Sequence, residues 1–106
     1  MNFKKKILII IPAYNEEDSV SKVVEDIRNH LPEVDILIVN DGSTDRTSQE
    51  GKGSGAIVLD LPFNLGIGGA MQAGYKYAFE KDYDIAIQVD GDGQHDPKEI
   101  GYIRRL

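Results

Sequence analysis

Apolar residues are concentrated in four short runs along the chain, and a segment of mixed polarity follows each run. The runs are nearly continuous and do not alternate with polar residues. This pattern is typical of parallel strands that are covered on both faces, because a strand with one face in water would alternate. The sequence therefore predicts four buried strands, at residues 7–11, 36–39, 56–59 and 85–89.

The segment after the first run predicts a helix over residues 16–31. Acidic residues at 16–18 would occupy its first turn, where they suit the helix dipole, and Pro32 lies just past its end. Its apolar residues recur at helical spacing and would form one buried stripe: Val20, Val23, Val24, Ile27 and Leu31.

Two further helices are predicted between the later runs. The second would begin at Ser43 as its N-cap and end near Glu50, and the glycine-rich residues 51–55 would form a flexible connection. The third would span residues 67–81, with a narrow face of small side chains that can approach a sheet closely.

A fourth helix is predicted from its start. Asp96 suits an N-cap, Pro97 suits the first helical position, and Glu99 suits the third. Ile100 and Ile103 would then face inward.

Strands that alternate with helices predict an α/β fold with an open, mainly parallel, Rossmann-like sheet and flanking helices. Ligands bind such sheets outside the carboxyl ends of the strands. Three of the four runs end in a polar or proline-bearing cluster, and these clusters should meet at one edge: residues 12–16, 40–43 and 90–92.

Size and charge narrow the possible functions. With 106 residues the chain suits one small domain, and a net charge of −6 argues against a nucleic-acid partner, which would require a basic face. The absence of cysteine excludes thiolate metal sites, and no apolar run approaches the length of a membrane span. An acidic protein that binds an anionic diphosphate would need a metal ion as counter-charge.

The pair Asp90 and Asp92 is the strongest chemical feature. Two carboxylates one residue apart, at the carboxyl end of a buried strand, can share Mg²⁺ or Mn²⁺, which prefer oxygen ligands. The simpler interpretation is a turn, but two adjacent negative charges repel each other unless a cation lies between them. Gln94 can supply a neutral oxygen to the same metal, and Gly91 separates the two carboxylates.

The other clusters leave two interpretations open. Tyr14 can cover a nucleobase and Glu16 can accept ribose hydroxyls, or both can belong to a plain turn. Asp41 can accept an N–H of uracil or guanine, or it can cap the second helix.

The residues 64–70 open the third helix, and backbone N–H groups there can meet a phosphate. Close packing of a glycine-rich helix start on the sheet is the alternative. Asn64 and Gly68 are the candidates in this segment.

Four motifs in order make the chain similar to the amino-terminal half of a family 2 glycosyltransferase with the GT-A fold. It resembles most the polyprenyl-phosphate sugar transferases of the dolichyl-phosphate mannose synthase type. The matching stretches are residues 9–17, 39–45, 64–70 and 90–97, which span nearly the whole chain.

The resemblance implies roles for most of the candidates. Pro12, Ala13, Tyr14 and Glu16 would line a nucleoside pocket, and Asp41 would contact the base. Asp90, Gly91 and Asp92 match the family's DXD motif. In this motif Asp92 would be the direct metal ligand and Asp90 would bind the metal or the ribose, while Gln94 would complete the coordination.

The resemblance also implies the reaction: inverting transfer of a sugar from a UDP- or GDP-linked donor, with a lipid phosphate or a glycan as acceptor. The expected catalytic base lies beyond Leu106, so residues 1–106 are expected to be the nucleotide-sugar-binding part of a truncated domain. A cytoplasmic location is expected, at the inner face of the membrane in the full-length protein.

Two alternatives remain. A sugar nucleotidyltransferase would share the fold, but it would carry a basic, glycine-rich loop where this chain has Glu16 and Glu17. A catalytically incomplete fragment that self-associates as a homo-oligomer is the other, and it is compatible with donor binding.

Overall fold

The computed structural model describes residues 4–92 and 102–105, and it shows an α/β arrangement of five strands and three helices. The strands and helices, in chain order, are β1 (Ile7–Ala13), α1 (Val20–His30), β2 (Asp35–Asn40), α2 (Thr47–Gly53), β3 (Ile57–Asp60), α3 (Gly66–Glu80), β4 (Ile85–Gln88) and β5 (Tyr102–Arg105).

The strands form one sheet in the order β3-β2-β1-β4-β5. The first four strands of the chain pair in parallel, and β5 pairs with β4 in the antiparallel direction. The predicted open, mainly parallel sheet is therefore confirmed. Strand β1 lies at its centre and is the longest of these strands, with 7 residues.

Two apolar layers cover the two faces of the sheet. Because successive residues of a strand point to opposite faces, Ile9 and Ile11 pack under α1 while Leu8 and Ile10 pack under α3. The predicted stripe of α1 is buried as expected at Val20, Val23, Val24 and Ile27, and Leu31 is partly buried against the same layer.

Helix α3 approaches the sheet closely, as its small residues predict. Ala70 and Ala78 are fully buried, and a Cβ at Gly74 would lie 2.6 Å from Cγ2 of Ile10. In the described part of the chain, no helix is both long and apolar enough to cross a membrane.

Helices α1 and α2 begin later than predicted. The carbonyl of Glu16 accepts the N–H groups of Ser19 and Val20, so the acidic residues form a turn before α1 and not its first helical turn. Ser43 is not the N-cap of α2, because the helix begins at Thr47 and the Ser43 hydroxyl bonds to another loop.

The glycine-rich segment after Glu50 is not the flexible connection that was predicted. Helix α2 continues through Gly51 to Gly53, and a Cβ at Gly51 would lie 2.8 Å from Cδ1 of Ile38. The glycine thus permits close contact between α2 and β2.

The prediction of a fourth helix is wrong for residues 102–105, which are the part of that segment that the structure describes. Tyr102–Arg105 form strand β5, with Ile87 opposite Ile103. The physical reason is that β4 would otherwise leave an unpaired edge, and an aromatic and a β-branched residue at this point suit a strand. The predicted helix start at Asp96 lies outside the described residues.

Candidate functional site

A small cavity of about 170 Å³ opens at the carboxyl edge of the sheet, where β1 and β2 end side by side. Its walls come from the loops after these strands and from the start of α3. It is lined by Pro12, Ala13, Tyr14, Glu16, Asp41 and Ile67. The structure thus brings together five of the residues that the sequence predicted for a nucleoside pocket, and it adds Ile67. We call this cavity the edge pocket.

Strand β1 continues through Pro12 to Ala13, two residues beyond the predicted apolar run. Every second residue of a strand directs its backbone groups toward the same neighbouring strand. Ile10 faces β4, because its carbonyl accepts the N–H of Val89, and Pro12 therefore faces β4 as well. Strand β4 has ended by that point, so the N–H that proline lacks costs no ladder hydrogen bond. Pro12 therefore brings Ala13 and Tyr14 to the rim of the edge pocket.

Asp41 connects the ends of β1 and β2 with the start of α3. Its N–H donates to the carbonyl of Ala13 (2.9 Å), and its carboxylate accepts the N–H groups of Leu65 (2.7 Å) and Gly66 (3.0 Å). Only 4% of this residue is exposed. Asp41 therefore caps α3, a helix that follows 24 residues later, and does not cap α2 as one interpretation of the sequence proposed.

Two backbone N–H groups at the start of α3 are not available to bind a phosphate. The N–H groups of Leu65 and Gly66 are already donated to Asp41. Asn64 does not line the edge pocket, and Gly68 lines a neighbouring apolar groove of about 390 Å³ together with Ile67. The two predicted candidates of this segment thus lie beside the edge pocket.

The loops after β1 and β2 are joined by hydrogen bonds between residues 15–17 and 43–47, which we call the interloop network. The N–H of Asn15 donates to Oγ of Ser43 (2.9 Å), and Oδ1 of Asn15 accepts the N–H of Thr44 (2.9 Å). The N–H of Glu16 donates to Oγ1 of Thr47 (2.8 Å), which is fully buried. These bonds fix the backbone directly after Tyr14 and at Glu16.

Asp45 is a charged member of the interloop network. Its carboxylate accepts the N–H groups of Thr47 (2.9 Å) and Glu17 (3.2 Å), and also the Thr47 hydroxyl. Desolvation by itself raises the pKa of Asp45, but these hydrogen bonds together lower it below its ordinary value. The network therefore includes a carboxylate that is kept ionised.

The acidic pair lies next to the edge pocket. Asp90 and Asp92 are exposed on either side of the buried Gly91. A Cβ at Gly91 would lie 3.1 Å from the carbonyl oxygen of Pro12 and 3.3 Å from Cβ of Ala13, so this segment packs directly against the end of β1.

Ser19 links the acidic segment to the edge pocket. Its hydroxyl oxygen lies 2.8 Å from the carbonyl oxygen of Gly91 and 3.0 Å from Oε2 of Glu16. No sequence pattern singled out this serine, because its partner Gly91 is 72 residues away in the chain.

The residues present fit a divalent metal ion in part. Two exposed carboxylates on a backbone pressed against β1 are a donor set that Mg²⁺ and Mn²⁺ accept. Among residues 4–92 and 102–105, no three Asp, Glu or His side chains are grouped so that they could hold a metal ion. Gln94, the third predicted ligand, lies outside the described residues.

A protein-family model described as glycosyl transferase family 2 matches residues 8–104 of this chain. The chain belongs to glycosyl transferase family 2. This membership confirms the resemblance that the four sequence motifs indicated.

Curated relatives of this family 2 chain include enzymes named for lipid-phosphate acceptors. The chain is 34% identical over 100 residues to the undecaprenyl-phosphate mannosyltransferase of Micrococcus luteus. It is 38% identical over 116 residues to the UDP-N-acetylglucosamine–dolichyl-phosphate N-acetylglucosaminyltransferase of Methanococcus voltae. The alignments cover 90% and 93% of this chain but only 41% and 46% of those proteins. The chain thus spans less than half the length of these relatives.

Solved structures with the same fold include glucosyl-3-phosphoglycerate synthase from Mycobacterium tuberculosis. Its complex with UDP has a TM-score of 0.70 and 28% identity, and the match covers 88% of this chain and 36% of that one. Its complex with Mn²⁺, UDP and glucosyl-3-phosphoglycerate has a TM-score of 0.67 and 26% identity, covering 82% and 33%. The family 2 chain therefore has the GT-A type of fold that the resemblance implied.

Proposed function

We propose that this chain is the donor-binding part of a metal-dependent, inverting glycosyltransferase domain that takes its sugar from a nucleotide-diphosphate sugar. One observation carries the proposal: the edge pocket and the acidic pair lie side by side at the carboxyl edge of the sheet, joined through Ser19. A nucleoside in the edge pocket would extend its diphosphate toward Asp90 and Asp92.

The edge pocket has the chemistry that a nucleoside requires. Tyr14 is 46% exposed, and its ring would cover the base. Glu16 would accept ribose hydroxyls. Each oxygen of the Asp41 carboxylate has already accepted one backbone N–H and keeps a second lone pair, with which it would accept an N–H of uracil or guanine.

Asp90 and Asp92 would hold Mg²⁺ or Mn²⁺, with Gln94 as a further ligand in the proposal. The bound cation would act as a Lewis acid that stabilises the leaving diphosphate. The solved complexes of the Mycobacterium tuberculosis enzyme with Mn²⁺ and UDP support this assignment.

For the acceptor we propose a polyprenyl phosphate, because the curated relatives are named for undecaprenyl and dolichyl phosphates. In an inverting transfer an acceptor oxygen bonds to the anomeric carbon on one face while the bond to the diphosphate breaks on the other. Such an acceptor would place the full-length protein at the inner face of a membrane. In this proposal the general base is not one of the 106 residues.

The loop after β1 favours this function over that of a sugar nucleotidyltransferase. Glu16 and Glu17 lie where a nucleoside triphosphate would need positive charge, and like charges repel. Oε2 of Glu17 accepts the N–H of Arg46 (3.2 Å), which keeps this carboxylate in the loop.

The test is isothermal titration of the chain with UDP and with GDP, each in Mn²⁺ and in EDTA. We expect one nucleotide to bind in Mn²⁺ and to lose at least about tenfold in affinity in EDTA or in the Asp92→Asn variant. Asp82→Asn is the matched control, because Asp82 is an exposed acidic residue in the turn before β4, at the opposite edge of the sheet. Equal affinity for wild type and Asp92→Asn in Mn²⁺, or binding of neither nucleotide, would overturn the proposal.

A further inference from the structure

Asn15 has a backbone conformation that most residues avoid. Its φ is 53°, in the left-handed region, where Asn and Gly are tolerated and other residues are strained. It stands between Tyr14 and Glu16, both of which line the edge pocket. The left-handed turn at Asn15 therefore determines how its two neighbours face the edge pocket.

The side chain of Asn15 does not line the edge pocket and instead contacts the loop after β2. Its Oδ1 accepts the N–H of Thr44 (2.9 Å) and lies 3.3 Å from the Thr44 hydroxyl. Its own N–H donates to Oγ of Ser43 (2.9 Å). The two loops are thus joined at this point by contacts that span 28 and 29 residues of the chain.

We propose that Asn15 is a positioning residue for donor binding: its left-handed turn and its amide oxygen together preorganise Tyr14 and Glu16 at the edge pocket. The inference rests on the proposed function, because it assigns Asn15 a role in that same site. A loop that is already ordered loses less conformational freedom when a ligand binds, and this gain appears as affinity.

Substitutions at position 15 separate the two properties. Asn15→Gly keeps the left-handed conformation but removes the acceptor for Thr44. Asn15→Asp keeps both the acceptor and a residue type that tolerates this conformation. Asp82 has a φ of 62° in the turn before β4, at the opposite edge of the sheet, so Asp82→Gly is the matched control for the backbone effect.

The experiment measures nucleotide affinity in Mn²⁺ by titration, together with thermal unfolding and the amide exchange rate of Thr44 by NMR. We expect Asn15→Gly to bind about tenfold more weakly, as expected from one lost hydrogen bond, with cooperative unfolding retained and faster exchange at Thr44. Asn15→Asp should bind within about twofold of wild type, because it restores the acceptor. Asp82→Gly should leave affinity unchanged.

The outcomes distinguish this inference from the proposed function. If wild type binds a nucleotide and Asn15→Gly binds it equally well, the positioning role is overturned while donor binding stands. If wild type binds neither UDP nor GDP, the proposed function fails and the inference fails with it. Should Asn15→Gly not fold, Ser43→Ala decides, since it removes the acceptor of the Asn15 N–H: weaker binding supports the positioning role, and unchanged affinity overturns it.

Discussion

The contact between α3 and the central strand makes a prediction about Gly74. A Cβ at this position would lie 2.6 Å from Cγ2 and 3.1 Å from Cδ1 of Ile10, which is fully buried in β1. Ile10 has little room to move, because β1 lies between β2 and β4 in the sheet. Gly74→Ala must therefore displace either the helix or the strand.

The expected magnitude is a balance of two terms. Overpacking a well-packed core costs about 1–3 kcal/mol, and this overlap lies at the severe end of the range. Alanine gains about 1 kcal/mol over glycine inside a helix. We therefore expect Gly74→Ala to lower the free energy of unfolding by about 1–2 kcal/mol, which corresponds to a fall in Tm of roughly 4–16 °C for a chain of this size.

Gly68→Ala is the matched control in the same helix. A Cβ there would meet no heavy atom within 4 Å, so only the helix-propensity term applies. Urea unfolding followed by circular dichroism should show Gly68→Ala as stable as wild type or up to about 1 kcal/mol more stable. If Gly74→Ala proved as stable as Gly68→Ala, the close approach of α3 to β1 would be refuted.

Three further predictions concern the site and the surface. In Asp41→Asn, one of the N–H groups of Leu65 and Gly66 faces an NH₂ group instead of a carboxylate oxygen. We therefore expect urea unfolding to show a free energy of unfolding that is lower by about 1–3 kcal/mol. An unchanged urea midpoint would contradict the capping role. Although desolvation opposes the shift, hydrogen bonds from Thr47 and Glu17 hold the folded-state pKa of Asp45 below its ordinary value of 3.8, so its contribution to stability is present above that value and is lost as the pH falls through the lowered pKa. Urea midpoints measured from about pH 6 to pH 2 should therefore fall at the acid end, and the fall should be shallower in Asp45→Asn than in wild type. Finally, Phe63 and Phe79 are 71% and 73% exposed, and we expect the chain to self-associate in light scattering, a prediction that a monomer mass at every concentration would contradict.

Local patterns were sufficient for most of the secondary structure. The continuous apolar runs predicted the positions of all four parallel strands to within two residues. The prediction that all four are buried is wrong for β3, whose residues are partly buried or exposed because this strand lies at the edge of the sheet. The small residues of α3 predicted its close approach to the sheet, and Gly74 is where that approach is tightest. The errors arose where a side chain that suits a local role forms its hydrogen bond with a distant part of the chain. Ser43 suits an N-cap, yet its hydroxyl accepts the N–H of Asn15.

Similar reasoning explains what was missed at the site. Ile67 was recognised only as the start of a helix, and Ser19 and Asn15 carry no local pattern that predicts their partners. Their contacts depend on which strands are neighbours and on where each following helix begins. Hydrogen bonds between residues 28 to 72 positions apart become visible only after the chain has folded.

The sequence by itself determined the α/β class, the edge of the sheet at which the loops after the strands converge, and five of the six residues that line the edge pocket, since apolar periodicity and strand ends are local properties. Only the tertiary structure decided that Asp41 caps α3, that Asn15 joins two loops, and that residues 102–105 pair with β4 as a strand. The physical reason is that a buried acceptor must accept a hydrogen bond and an unpaired strand edge favours pairing with another strand. Folding decides which group is near enough to do so, and that group need not be close in sequence.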